Sequence, residues 1–192
     1  MNPTTPSASS APAASAPSAS AAPAPSAPAS PAPPSPDILR FLFDFNLRAL
    51  HLNCEGWTHG ESIVGPEPAG NSANWTLGHI LANRSYILKL IDETPLWSEA
   101  DGEPYERERD AEPFDPATGR SWESMRADLE TTQEKIRAGL ARLTPEKLAV
   151  KKKSEDRRIL GEQLHFLAFH EGYHAGQLGL LRRLLGLPGA IA

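Results

Sequence analysis

The stretch LHFLAFHEGYHAGQLGLLRRLL, residues 164–185, decides how this chain is read. As a helix it aligns Leu167, Leu178, Leu181 and Leu185 in one stripe, with His170 and His174 one turn apart and Gln177 almost one turn further. The stripe turns both imidazoles toward a core. Imidazoles at i and i+4 share a metal ion in helical zinc sites, but two of them do not hold an ion alone. His79 is the candidate third ligand. The competing reading makes His170 and His174 core residues that hydrogen-bond to other side chains, and His79 a polar residue at a helix start.

Working outward, the segments before this stretch are helical too. Ile38, Leu42, Phe45, Ala49 and Leu52 recur at helical spacing behind Asp37, the expected N-cap of a first helix that runs to about Cys54. A Gly- and Pro-rich loop spans roughly residues 56–70. A second helix begins near Asn74 as cap, puts Trp75, His79, Tyr86 and Leu90 on one face, and stops before Pro95. From Glu93 to Arg120 periodicity disappears among four prolines and the aromatics Trp97, Tyr105 and Phe114. A connection that long inside one domain is usually functional, and here it suits a crossover whose aromatics cover one end of a bundle. Ser121 caps a third helix with the stripe Trp122, Met125, Leu129, Thr132, Ile136, Leu140 and Leu143. The fourth helix runs from about Leu160 to Leu185, closed by Gly186 and Pro188. The expected fold is therefore all-α: a four-helix bundle with a long crossover between helices two and three.

Composition divides the chain in two. Residues 1–36 hold 11 Pro, 12 Ala and 9 Ser and no charged side chain. Such a segment buries too little to offset its ordering entropy, so it is expected to be a disordered tail, with neither the basic start nor the apolar run of a signal peptide. Residues 37–192 form the expected single domain, which carries all 19 basic and 24 acidic residues, net −5. An acidic domain without a basic stripe is expected to have no nucleic-acid partner, and Lys151-Lys152-Lys153 with Arg157-Arg158 reads as a solvated loop. No apolar run is long enough to cross a bilayer, so no membrane partner is expected. Cys54 is the sole cysteine, which rules out an internal disulfide and points to a reducing cytoplasm.

Two segments, Asn74-Trp75-Thr76-Leu77-Gly78-His79-Ile80-Leu81-Ala82 and His170-Glu171-Gly172-Tyr173-His174-Ala175-Gly176-Gln177-Leu178, resemble the signatures of the DinB-like superfamily. The similarity covers about residues 37–190. It implies a four-helix bundle that binds a divalent metal through three histidines, carried here by His79, His170 and His174. It also implies kinship with thiol-dependent transferases that use small thiols such as bacillithiol or mycothiol, and with proteins that form homodimers.

Three imidazoles leave open positions on zinc or nickel, the expected metals, or on iron or manganese. The expected function is thus an S-transferase that activates a small-molecule thiol for attack on an electrophilic substrate. The alternatives are a metal-dependent hydrolase and a non-enzymatic, metal-stabilised stress-response or interaction module. Gln177 is the candidate for orienting a ligand from behind. Tyr86 and Tyr173 are weaker candidates, Trp75 reads as core, and Glu171 points about 100° away from its neighbouring histidine, which disfavours it as a general base.

Overall fold

Four long helices carry the architecture of the computed structural model, which describes residues 35–67, 70–106, 115, 117 and 119–190. They are α1 (Pro36–Cys54), α3 (Ala73–Leu90), α5 (Trp122–Leu140) and α7 (Leu160–Leu184). Three single-turn helices join them: α2 (His59–Ser62), α4 (Glu99–Gly102), which runs into a 3-10 turn over Glu103–Tyr105, and α6 (Pro145–Leu148). No strand occurs among the described residues. The expectation of a disordered tail over residues 1–36 falls, apart from Ser35 and Pro36, outside the described residues.

Each helix start follows from local chemistry. Ser35, Ser72, Ser121 and Thr144 each turn a hydroxyl oxygen onto an N–H of the first turn, satisfying a donor the helix itself cannot reach. Pro36 and Pro145 occupy first-turn positions where a missing N–H costs nothing. Two expected caps shift accordingly. Asp37 lies inside the first turn of α1, and Asn74 lies inside α3, where its amide donates to the carbonyl of Arg120 at 3.0 Å.

The neighbouring pairs are α1 with α7, α7 with α3, α3 with α5 and α5 with α1, a closed ring of four. Directions follow from the cross-contacts. Asn74 at the start of α3 meets Arg120 just before α5, while Ile91 past the end of α3 lies against Gly139 near the end of α5. These helices are parallel, so the chain between them must return the whole length of the bundle, and that return is the long crossover. Asn46 and Asn53 of α1 donate to the carbonyls of Ala168 and Ala175 of α7 at 2.7 and 2.9 Å, so this pair is parallel as well. Asp44 meets Gln133 and Arg137, and His51 meets Glu130, which makes α1 antiparallel to α5.

The core face of α1 is rotated from its expected position. Leu39, Phe43, Leu47, Leu50 and Cys54 are buried, whereas Ile38 and Phe45 are exposed. The inner face contains the polar pair Asn46 and Asn53, whose amides each need a buried partner and find one on α7. At the far end of α7, Leu185 is exposed, not in the core stripe where it was expected. The third helix stripe, from Trp122 to Leu140, is buried along its length.

The interior falls into two apolar clusters. One contains all four tryptophans (Trp57, Trp75, Trp97 and Trp122) with Tyr105 of the crossover, and lies where α3 begins. The other gathers Phe43, Ile87, Leu88, Ile136 and Leu164. The aromatic cluster anchors the crossover: Trp97 donates its indole N–H to Asp128 at 2.8 Å, and the Tyr105 hydroxyl accepts from the Arg120 N–H at 2.8 Å.

Candidate metal centre

Because α3 and α7 are antiparallel neighbours, the first two turns of α3 meet the middle of α7. His79, His170 and His174 come together there, with ring centroids 5.2 Å (79–170), 4.8 Å (79–174) and 4.4 Å (170–174) apart. One ligand atom from each lies within 4.8 Å of the others. His79 and His174 are buried and His170 is half-buried, so the cluster faces solvent on the His170 side.

Hydrogen bonds fix which nitrogens converge. Nδ1–H of His79 donates to the Tyr105 carbonyl at 2.7 Å, which puts its lone pair on Nε2. Nδ1–H of His174 donates to the Gln177 side-chain carbonyl at 2.6 Å, with the same result. The Gln177 amide nitrogen in turn donates to the Tyr173 hydroxyl at 3.1 Å, consistent with a side-chain oxygen turned toward His174. Nε2 of His174 lies 3.1 Å from Nε2 of His170. An ion with ligands at about 2.1 Å separates imidazole nitrogens by about 3.4 Å, so a shift of an ångström or so closes the set around one ion. The donor set, its tautomers and its outer partners therefore fit a divalent metal.

Packing holds the rings in place. Trp75, one turn before His79, stacks parallel on it at 4.9 Å and 6°. Phe166 stacks on His170 at 6.0 Å, and Tyr173 meets His174 edge-on at 5.1 Å. Tyr86 is exposed and lines a groove together with His79. His165 is exposed, and His59 accepts from the Trp122 N–H at 3.3 Å at the start of α5.

Three participants escaped the sequence reading. Asn83, one turn after His79, places its amide nitrogen 3.2 Å from His79 Nε2 and donates to the His79 carbonyl at 2.8 Å. Its i+4 spacing was a usable signal. Tyr105 acts through a backbone carbonyl, which no side-chain pattern reveals. The third is Arg84, fully buried, which forms a two-pronged ion pair with Glu171 at 2.8 and 2.9 Å and also donates to the Leu129 carbonyl and Thr132 hydroxyl at 3.2 Å. Glu171 thus turns away from the imidazoles and is neutralised from the neighbouring helix α3.

Among the described residues, one groove reaches the cluster directly and a second reaches it through Phe166. One, about 470 Å³, runs between α3 and the crossover and is lined by His79, Asn83, Tyr86 and Trp97 among others. The second, about 260 Å³, is lined by Tyr86, Phe166, Arg157 and Arg158 among others. Tyr86 is common to both.

Residues 42–178 match the sequence model of the DinB superfamily. Among solved structures, the chain is similar to the colibactin self-resistance protein ClbS in complex with a dsDNA. The TM-score is 0.56 at 15% identity, over 81% of this chain and 98% of that one. No curated protein matches the sequence. The exclusion of nucleic acid drawn from composition is corrected by this comparison, since a protein of the same fold has been solved with duplex DNA. The weak step is to set aside the local basic cluster as a solvated loop because the domain as a whole is acidic. Contact with phosphates depends on where cations cluster, and a net charge of −5 does not cancel a local basic run such as Lys151–Lys153.

Proposed function

The chain belongs to the DinB superfamily, and from that premise we propose that it is a metal-dependent S-transferase using a small thiol, with His79, His170 and His174 as the metal ligands. The observation that carries the proposal is the convergence of three Nε2 atoms from two helices, two of them fixed by the carbonyls of Tyr105 and Gln177. A bound divalent ion supplies Lewis acidity, lowering the pKa of a thiol or water that reaches its open side. The chain supplies the rest. Trp75 excludes water from behind His79, and Phe166 shields one face of His170. Gln177 keeps the proton of His174 on Nδ1, away from the centre.

The choice of thiol over water rests on the carboxylates. Hydrolysis calls for a base held beside the centre; Glu171 is taken by Arg84 in a buried ion pair, and of the carboxylates in the groove beside His79, Glu99 is paired with Lys89 and Glu106 is exposed to solvent. A thiol starts far closer to ionisation than water, so once its pKa is lowered it gives its proton to solvent without such a base. The reading places the protein in a reducing compartment, where small thiols stay reduced. Zinc and nickel are the metals proposed for this all-imidazole set, which suits both.

The test is metal analysis of purified protein, followed by metal-dependent conjugation of a chromogenic electrophile with a panel of thiols. Native protein is expected to hold about one ion per chain, and His79→Ala, His170→Ala and His174→Ala to lose it, since two imidazoles bind divalent ions poorly. Full metal in all three variants overturns the ligand assignment. Cleavage of esters or amides without thiol conjugation replaces the transferase by a hydrolase.

A second reading, duplex DNA as a partner, is favoured by one observation, the complex of ClbS with dsDNA. Lys151 and Lys153, exposed before α7, are the candidate contacts. Fluorescence anisotropy with a labelled duplex tests it: genuine phosphate contact weakens steeply with added salt, and no binding at low salt removes this reading.

A further inference from the structure

A thiol transferase has two substrates, and two grooves share Tyr86: one is lined by His79, the other by Phe166, which stacks on His170. They differ in charge. In the larger one, Lys89 is paired with Glu99 at 2.9 Å and Glu106 adds a negative charge. The smaller one is bordered by Arg157 and Arg158, and among the described residues neither guanidinium forms an ion pair. Its single carboxylate, Asp156, is engaged locally, accepting from the Lys153 N–H at 2.9 Å and from the Gln163 amide at 3.2 Å. The groove therefore keeps an excess of positive charge.

This charge is tied to the centre by stacking. The Arg158 guanidinium lies 4.7 Å from the ring centroid of Phe166, and Phe166 stacks on His170, the half-buried imidazole, at 6.0 Å. A guanidinium over an aromatic ring gains cation–π attraction without using its N–H groups, which remain to bind a carboxylate. From this arrangement we infer that the smaller groove is an anion subsite, in which Arg157 and Arg158 bind a carboxylate of the thiol cosubstrate while its sulfur enters beside His170. The groove's volume of about 260 Å³ suits a low-molecular-weight thiol, and the 470 Å³ groove beside His79 receives the electrophile. The inference rests on the thiol-transferase reading and adds the chemical class of the thiol: small and carboxylate-bearing.

The experiment uses the full chain loaded with cobalt(II), whose near-ultraviolet charge-transfer band reports thiolate entry independently of turnover. Two probes of similar size are titrated, dianionic mercaptosuccinate and neutral 1-thioglycerol. Native protein is expected to bind mercaptosuccinate at least about tenfold more tightly. In Arg157→Gln/Arg158→Gln the preference falls to about twofold or less, with cobalt content, helicity and thioglycerol affinity unchanged. Equal affinity for the two thiols in native protein, or a preference that survives in the double variant, overturns the subsite. If neither thiol produces a band, the thiol reading itself fails, and calorimetry with succinate then decides on the groove. Succinate binding lost in the double variant keeps an anion subsite, and no binding to native protein removes it. A short DNA duplex that binds native protein and not the double variant, with thiol selectivity unaltered, reassigns the arginines to phosphodiesters and overturns the proposal.

Discussion

At the scale of single residues, the centre depends on partners that never face it. The Gln177 carbonyl accepts from His174 Nδ1, and that one bond selects which nitrogen looks inward. Gln177→Ala is therefore expected to keep the fold but weaken metal affinity about tenfold, measured by competition with a chromophoric chelator; unchanged affinity would show that packing alone orients the ring. Cys54 illustrates a different residue effect. Burial pushes its thiol up to about 12, only partly opposed by Arg126 and Arg182. A thiol whose folded pKa is raised contributes its stability below the unfolded value, and loses it as pH climbs from there toward 12. Above about pH 9 the unfolded chain releases the proton first, so stability should fall by about 1.4 kcal/mol per pH unit. Denaturant titrations at pH 8, 9 and 10 check this, and Cys54→Ala should flatten the extra slope.

At the scale of elements, the crossover and the ligand helix are built as one piece. A Cβ added at Gly78, next to His79, would lie 2.1 Å from the Tyr105 ring, and the Tyr105 carbonyl is the partner of His79 Nδ1. Gly78→Ala must push the crossover outward. A stability loss of about 1–3 kcal/mol is expected, together with weakened metal binding, because the carbonyl moves with the ring. Calorimetric unfolding and metal titration of this variant separate the two effects, and a variant with native affinity would uncouple the crossover from the centre. The same scale shows what sequence patterns could and could not convey. The stripe of α5 was legible because its apolar residues and the helix-bonded Thr132 keep a regular spacing, which the one buried amide, Gln133, does not interrupt. In α1 the inner face holds Asn46 and Asn53, seven residues apart, which bond to Ala168 and Ala175, also seven apart, beside the small residues Gly172 and Gly179. A polar pair on the buried side rotated the apparent stripe onto Ile38 and Phe45. For the candidate site, the i, i+4 histidines and their Gln were readable from spacing because they share one helix. The Tyr105 carbonyl and the Arg84–Glu171 pair were not, since long-range contacts between elements leave no local period.

At the scale of the whole molecule, the imidazole centre joins two of the four long helices, and it lies at the end where the tryptophan cluster and the crossover also gather. The buried Arg84–Glu171 pair adds a second tie between α3 and α7 close to the first. Its desolvation cost makes it a poor source of net stability but an effective restraint on how the two helices can slide, since any shift strands a buried charge. An ion that binds only where three imidazoles already lie together stabilises the folded chain by linkage, and the gain depends on free concentration relative to Kd. At a thousandfold excess over Kd that amounts to about 4 kcal/mol, and for a chain of this size each kcal/mol moves Tm by about 2–4 °C. Stripping metal with a chelator should therefore lower Tm by roughly 10 °C, and readdition should restore it. His174→Ala, lacking a ligand, should melt at one temperature with or without metal. The composition of the segment before Ser35, mostly Pro, Ala and Ser, gives it few bulky apolar side chains, so a chain starting at Ser35, which keeps the hydroxyl that caps α1, is expected to show the same metal-dependent difference. A native chain whose Tm is indifferent to chelator would mean that the three histidines hold no ion that matters to the fold.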